Sequence, residues 1–136
     1  MSTVPQDLRY TREHEWARLE DDGRVTIGVT DFAQEQLGDV VFLDLPEVDS
    51  DVEGGEPLGE VESTKSVSDL YAPVTGKVVE INVECKENPA ALNQDPYGEG
   101  WLMVLDPSDP AEFDGLLSPE EYAQFLEEEA GEGEEG

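Results

Sequence analysis

Residues 57–73 read "PLGEVESTKSVSDLYAP", and this stretch decides the fold that we expect for the chain. Its two halves, "PLGEVE" and "VSDLYAP", have the composition of short strands and are joined by "STKS". The pattern predicts a hairpin with Lys65 at its tip and with the lysine amine projecting into water. An exposed lysine is a poor catalytic base but an accessible acceptor for acylation. The alternative is an unmodified, solvated turn lysine.

Short strands recur along the rest of the chain. "VTIGV" at residues 25–29 alternates apolar with small or polar residues, and "KVVEINV" at residues 77–83 does the same. Both are predicted to be half-buried strands. Further strands are predicted at "WARL", "VVFLDL" and "WLMVL", which clusters of Gly, Pro and Asp separate. So many short strands favour a mainly β fold, either a flattened barrel or a sandwich.

Helices are predicted where capping residues precede a suitable run. Asp31–Leu37 should form a short peripheral helix, with Thr30 capping its start and Gly38 ending it. Ser118 and Glu121 form a capping box for a C-terminal helix. The apolar stripe of that helix is expected to pack on the sheet.

The length of 136 residues fits a single domain. Residues 128–136 contain only Glu, Gly and Ala, and they offer no large side chain to a core. We therefore predict one domain at residues 1–127 and a disordered acidic tail at residues 128–136. The start of the chain lacks the apolar core of a signal peptide, and no run of about eighteen apolar residues occurs. A soluble cytoplasmic protein is expected.

The charge of the chain is strongly acidic. The 35 Asp and Glu residues against 7 Lys and Arg give a net charge of −28, which argues against electrostatic binding to nucleic acid or to an anionic membrane. Self-repulsion of this size destabilises a compact state at low ionic strength, and molar salt screens it. We therefore hypothesise a halophilic, salt-accumulating cytoplasm. The alternative is an ordinary domain with a solvated acidic tail.

The chain is a weak candidate for an enzyme because it has one His and one Cys. His14 lies between Glu13 and Glu15, but in a strand these two carboxylates would point to the opposite face. A structural role near Trp16 is therefore predicted for the histidine. The single Cys85 cannot form an internal disulfide and is predicted to be a small, partly buried side chain. No catalytic residue is assigned.

Residues 49–60, "DSDVEGGEPLGE", match the spacing of calcium ligands in an EF-hand loop. An EF-hand also needs a helix on each side, whereas the preceding stretch is strand-like and contains Pro46. Pro57 interrupts the loop itself. No metal site is therefore predicted, and a calcium-binding or scaffold protein that never modifies Lys65 stays an alternative.

The stretch "VESTKSVSDLYAPVTGKV" resembles the lysine hairpin of lipoyl-carrier domains. Over about residues 8–129 the chain is similar to the glycine cleavage H-protein family. That resemblance also rests on "YTREHEW", "IGVTDFAQEQLGDVVFLDLPEV", "NPAALNQDPYGEGWL" and "LLSPEEYAQFLEEE". Thr64, Ser66 and Val67 differ from the residues usual beside the lysine. The resemblance implies a lipoyl-domain-like flattened barrel or sandwich.

The resemblance implies roles for particular residues. Lys65 would carry lipoate in amide linkage. Glu62, Ser63 and Asp69 would take part in recognition of the attachment site by a lipoate ligase or a lipoyl or octanoyl transferase. Glu15 and Asp69 match positions that line a cleft for the lipoyl arm, where a carboxylate suits a cationic amine.

The function implied by the resemblance is that of a non-catalytic carrier. A pyridoxal-phosphate glycine decarboxylase (P protein) would load an aminomethyl group, and a tetrahydrofolate-dependent aminomethyltransferase (T protein) would accept its carbon. Dihydrolipoamide dehydrogenase (L protein) would then reoxidise the carrier. Two alternatives stay open. One is a biotin carrier, for which flanking methionines would be expected, and the other is a relay that donates lipoyl groups to other 2-oxoacid dehydrogenase complexes.

Overall fold

The computed structural model describes the backbone of residues 4–135 and the side chains of residues 4–128. The strands are β1 (Arg9–Tyr10), β2 (Glu15–Leu19), β3 (Val25–Val29), β4 (Val40–Asp44), β5 (Asp51–Val52), β6 (Pro57–Ser63), β7 (Val67–Tyr71), β8 (Gly76–Ile81) and β9 (Met103–Pro107). The helices are α1 (Asp31–Leu37), α2 (Val83–Glu87), α3 (Ala90–Gln94), α4 (Ala111–Asp114) and α5 (Pro119–Glu135).

The strands form two antiparallel sheets. A six-stranded sheet has the order β1-β2-β3-β9-β8-β5, and a three-stranded sheet has the order β4-β6-β7. The main hydrophobic core contains side chains from both sheets and from the short helices. The predicted mainly β fold with short helices and a C-terminal helix is confirmed. Among the helices of the described chain, none has the length and apolar character needed to cross a membrane.

The strand β3 differs from its prediction because it is buried on both faces rather than half-buried. It lies between β2 and β9 in the six-stranded sheet. Gly28 faces Trp16 across the β2–β3 pair, and a Cβ at Gly28 would come within 2.7 Å of the indole ring. Trp16 therefore covers the face of β3 that the alternation had predicted to be exposed.

The strand β8 ends earlier than the alternation predicted. A bulge between Val78 and Glu80 shifts the register of β8 against β9. Val78 is buried as a result, whereas the alternation had predicted burial of the face that contains Val79. Val83 was predicted as the last apolar residue of the strand, but it begins α2 and is exposed. The side chain of Asn82 caps this helix by accepting a hydrogen bond from the amide of Cys85 at 3.1 Å.

Capping residues of two helices are confirmed. The hydroxyl of Thr30 accepts a hydrogen bond from the amide of Ala33 at the start of α1, and Gly38 ends that helix with a φ of 77°. At α5 the capping box is formed in both directions, since Ser118 Oγ accepts from the amide of Glu121 and the amide of Ser118 donates to the Glu121 carboxylate.

The helix α5 packs on β1 and β2 over a second, smaller core of Leu8, Tyr10, Trp16 and Tyr122. The rings of Tyr10 and Tyr122 are stacked with their centroids 4.5 Å apart. The backbone of α5 continues to Glu135, where a disordered tail was expected from residue 128. The side chains of residues 129–136 lie outside the described residues, so the division between a domain at 1–127 and a tail at 128–136 stays a prediction.

The stretch that matches an EF-hand loop has a different structure. Residues 49–60 contain β5 and the first part of β6, and the chain reaches them from β4. Across the described residues, no group of three or more His, Cys, Asp or Glu side chains is placed to hold a metal ion. Cys85, predicted to be partly buried, is fully buried in the main core, and burial raises the pKa of its thiol.

Candidate functional site

Lys65 lies at the tip of the β6–β7 hairpin, and Ser63 holds the backbone of that tip. The amide of Ser63 donates to the carbonyl of Ser66 at 2.8 Å. The Ser63 hydroxyl accepts hydrogen bonds from the amides of Lys65 and Ser66 at 3.3 and 3.1 Å. Ser63 is itself buried, whereas Lys65 is exposed. The structure therefore places Lys65 at a hairpin tip, as the sequence predicted.

The tip is also held against the end of α1, which the sequence did not predict. The amide of Thr64 donates to the carbonyl of Asp39 at 3.1 Å. A Cβ at Gly38 would come within 3.3 Å of Lys65 Cε, so the aliphatic part of the lysine runs past this glycine. The methylene groups of Lys65 therefore lie beside the residue that ends α1, although the side chain as a whole is exposed.

A cavity of about 190 Å³ opens beside the hairpin. One wall is a single face of α1, which includes Phe32 and Leu37, and the opposite wall is the edge strand β7 with the residue before it, Ser66. Both predicted cleft residues, Glu15 and Asp69, line this cavity. Its residues are Glu13, His14, Glu15, Val29, Phe32, Ala33, Gln36, Leu37, Val61, Ser66, Ser68, Asp69 and Leu70.

Glu15 is a buried carboxyl group at the floor of the cavity. Its Oε2 accepts a hydrogen bond from the amide of Tyr71 at 2.7 Å, and the hydroxyl of Thr11 donates to Oε1 at 3.4 Å. Burial raises the pKa of Glu15 to about 8, the nearby charge of Glu13 adds to this, and the two hydrogen bonds oppose it. At neutral pH the side chain is therefore mostly protonated.

His14 lies outside the strand in which the sequence placed it. Its φ is 67°, and β2 begins one residue later. His14 Nδ1 is 2.9 Å from the hydroxyl of Tyr122, and its ring lies 4.6 Å from that of Phe32, centroid to centroid. The hydroxyl of Tyr122 is also 2.7 Å from Thr30 Oγ1. His14 thus joins the cavity rim to α5 and to the cap of α1, which fits the predicted structural role.

The three residues predicted for recognition of the attachment site differ in accessibility. Glu62 and Asp69 are exposed, and Ser63 is buried with its hydroxyl used by the turn. Asp69 lies on the edge strand of its sheet, and Glu62 lies on the central strand, paired with Phe42 and Val67. Glu62 and Asp69 are therefore accessible to a partner protein, whereas the side chain of Ser63 is used by the turn.

Sequence reasoning missed the contribution of α1 to the cavity and of α5 to its support. The α1 residues at the cavity are Phe32, Ala33, Gln36 and Leu37, whose spacing is that of one helix face. That spacing was visible in the sequence. The pairing of His14 with Tyr122 joins residues 108 positions apart, and no local pattern indicates it.

Comparison with known proteins indicates the same family as the resemblance of the lysine hairpin. A family model described as "Glycine cleavage H-protein" matches residues 8–129. The chain belongs to the glycine cleavage H-protein family. It is 59% identical over 129 residues to the glycine cleavage system H protein of Rubrobacter xylanophilus, covering 95% of this chain and 99% of the relative. It is 55% identical over 130 residues to that of Carboxydothermus hydrogenoformans, with 95% and 98% covered.

A solved structure of an H protein has the same fold, which confirms the predicted lipoyl-domain-like architecture. The crystal structure of a glycine cleavage system H protein from Mycobacterium marinum matches with a TM-score of 0.83 and 46% sequence identity. The match covers 89% of this chain and 97% of that one. Membership of the H-protein family favours the carrier of glycine cleavage, and none of these relatives favours the biotin carrier or the relay.

Proposed function

We propose that this H protein is the lipoylated carrier of the glycine cleavage system, with lipoate in amide linkage on Lys65. The observation that carries the proposal is the position of Lys65, exposed on a braced hairpin tip directly beside a cavity. The amine is accessible to an acylating enzyme, and the cavity offers apolar walls and three carboxyl groups, those of Glu13, Glu15 and Asp69, to an arm attached there.

The attached group would supply chemistry that the chain lacks. When bound, a lipoyl group supplies a reducible disulfide at the end of a long flexible chain. Cys85 is buried in the core and offers no thiol to such a reaction. The carrier itself is not an enzyme in this proposal, because its contribution is to hold, shield and present the arm.

Glu15 and Asp69 are the residues proposed to meet the far end of the arm. Apolar side chains such as Phe32 and Leu37 would exclude water around it. A positive charge within about 4 to 6 Å favours the ionised form of a carboxyl group. Glu15 is therefore expected to release its proton when a cationic amine enters the cavity. Its neutral carboxyl group would then become a negatively charged counter-ion of the amine.

The proposed partners follow from this role. They are the P-protein glycine decarboxylase, the T-protein aminomethyltransferase, the L-protein dihydrolipoamide dehydrogenase and a lipoate ligase or lipoyl or octanoyl transferase. Exposed Glu62 and Asp69 are proposed to contact the attaching enzyme. The net charge of −28 supports partners with basic surfaces and argues against nucleic acid and anionic membranes. A cytoplasmic location is proposed as well, because Cys85 is a free cysteine, as is usual in a reducing compartment.

The test is attachment to a defined lysine. The purified protein is incubated with a lipoate–protein ligase, lipoate and ATP, and the modified peptide is mapped by mass spectrometry. The wild type and Lys77→Arg, whose lysine is exposed on β8, should gain one lipoyl group on residue 65. Lys65→Arg should gain none. Modification elsewhere, or an unmodified wild-type chain, would overturn the proposal. Wild-type protein with lipoate attached should then support glycine decarboxylation by purified P protein.

A further inference from the structure

Three large apolar side chains lie exposed beside the lysine hairpin. Val41 and Phe42 on β4 are each 51% exposed, and Val67 at the start of β7 is 58% exposed. Single exposed apolar residues are ordinary on a protein surface, whereas a group of them marks an interaction site more often. We call Val41, Phe42 and Val67 the hairpin patch.

The register of the three-stranded sheet places Phe42 and Val67 on either side of Glu62. Phe42 pairs with Glu62, and Glu62 pairs in turn with Val67, so Phe42, Glu62 and Val67 form one row across the sheet. One residue, Val41, separates Val40 from Phe42 on β4, whereas their partners on β6, Ser63 and Glu62, are adjacent, so β4 has a β-bulge at Val41. The bulge explains why both neighbours, Val41 and Phe42, are exposed.

The surroundings of the hairpin patch are acidic. Glu62 stands within the row, and the next row contains the paired residues Asp44 and Glu60. All three are exposed. Between Arg24 and Lys77 the sequence contains no Lys or Arg other than Lys65. A partner that covers this face must therefore offer an apolar pocket bordered by basic side chains.

One kind of partner must come close to this face, because the row of Phe42, Glu62 and Val67 lies next to the hairpin tip that carries Lys65. In attachment, Lys65 Nζ attacks the acyl carbon of an activated acyl donor, either an acyl adenylate or an acyl thioester. The new C–N bond forms as the bond to the adenylate phosphate or thiol breaks, and the amine loses a proton. The enzyme must bring its acyl carbon within bonding distance of Nζ. Enzymes that act on the far end of the arm have no such need.

We propose that Val41, Phe42 and Val67 form the docking surface for the enzyme that acylates Lys65, and that this enzyme receives them in an apolar pocket bordered by Arg or Lys. The inference rests on the proposed function. It adds a recognition element on β4, a strand that does not carry the lysine. Specificity for this carrier then comes from two strands at once, since β4 and β7 are brought together only by the folded sheet.

The experiment measures attachment kinetics on surface variants. Phe42→Thr and Val67→Thr, singly and together, remove apolar surface and keep a residue that favours strands. Leu19→Thr and Val83→Thr are the matched controls, because both residues are apolar and 54% exposed away from the hairpin. Purified lipoate–protein ligase, lipoate and ATP are supplied, modification of Lys65 is followed by intact mass, and the unfolding midpoint of each variant is recorded.

The double variant should lose about tenfold in kcat/KM through a higher KM, with kcat changed less than about twofold, as expected for interface anchors. The controls should match the wild type. A double variant that is folded and is modified like the wild type would overturn the inference, whereas an unmodified wild type would instead overturn the proposed function. Normal attachment combined with slower aminomethyl transfer would also overturn it, since the patch would then serve another partner.

Two further measurements test whether the partner has a basic border and whether the hairpin patch instead binds a second copy of the chain. Glu60→Lys should lower kcat/KM at low salt and have less effect at high salt, because rim charges act mainly on association rates. Faster attachment by Glu60→Lys would contradict a basic border. Sedimentation should give a monomer for both the wild type and Phe42→Thr. A wild-type dimer that Phe42→Thr dissociates would assign the patch to self-association and overturn the inference.

Discussion

Glu15 Oε2 accepts a 2.7 Å hydrogen bond from the backbone amide of Tyr71 and so joins β2 of the six-stranded sheet to β7 of the three-stranded sheet. Glu15 also lines the cavity beside Lys65. Its side chain is a buried carboxyl group whose pKa is raised from 4.5 to about 8. One residue therefore takes part in both the packing of the sheets and the electrostatics of the site.

The raised pKa of Glu15 makes the stability of the fold depend on pH. In the folded protein Glu15 keeps its proton up to about pH 8, whereas the unfolded chain releases it near pH 4.5. The stability that this difference contributes is fully present below pH 4.5 and is lost as the pH rises through about 8. Glu15→Gln removes the ionisation. Between pH 5 and 8 the wild type should lose stability relative to the variant by about 3 kcal/mol. Urea unfolding at both values tests this, and parallel pH dependences would contradict it.

The same residue is expected to hold the cationic end of the loaded arm. In the loaded carrier the pKa of Glu15 should fall, because a nearby cation favours the carboxylate. Carbon-13 NMR of the side-chain carboxyl group measures this pKa before and after loading. Glu15→Gln and Asp69→Asn should both speed loss of the aminomethyl group to water, whereas the exposed Glu99→Gln should not. Unchanged decay in both cavity variants would contradict a role for these carboxyl groups.

The hydroxyl of Tyr122 supports the cavity rim from α5. Tyr122→Phe keeps the ring stacked on Tyr10 but removes the contacts to His14 and Thr30. The expected cost is about 1 to 2 kcal/mol of unfolding free energy, because the buried hydroxyl of Thr30 loses its hydrogen bond to Tyr122. Hydrogen exchange at the amide of Ala33 should become faster. Tyr71→Phe is the control, since the contact of Tyr71 to Glu15 uses its backbone amide. Equal stability of both variants would argue against the coupling.

Gly28 is expected to tolerate no larger side chain. A Cβ at Gly28 would come within 2.7 Å of the Trp16 indole, which is fully buried and donates from Nε1 to the carbonyl of Pro96 at 2.9 Å. Gly28→Ala should therefore cost about 1 to 3 kcal/mol and shift the tryptophan fluorescence. Gly115→Ala is the control, because its nearest contact would be an ordinary 3.5 Å. A neutral Gly28→Ala would mean that Trp16 can move.

The net charge of −28 predicts a fold that salt stabilises. Raising KCl from about 0.05 M to about 1 M shortens the Debye length from over 10 Å to about 3 Å and should raise the melting temperature. Calorimetry across a KCl series, repeated with NaCl to exclude a specific effect of potassium, measures this. Equal melting temperatures at low and molar salt would contradict the halophilic interpretation.

Local rules predicted much of the scaffold. The hairpin, the cap of α1 by Thr30 and the capping box of Ser118 and Glu121 each depend on residues close in sequence, and each is present. The predictions failed where distant residues changed a local pattern. Trp16 covers Gly28 from the neighbouring strand, and the side chain of Asn82 starts a helix where the alternation of Val79, Ile81 and Val83 predicted a strand.

The sequence by itself determined that the chain is acidic, mainly β and built around an exposed lysine hairpin, because composition, alternation and turn chemistry are local properties. Tertiary structure alone decided the rest. The pKa of Glu15 is raised because the fold buries it, and the cavity exists only where α1 faces β7. Phe42 reaches the lysine face only through a bulge and a strand register. Burial and register depend on residues far apart in the chain, and such dependence leaves no local pattern.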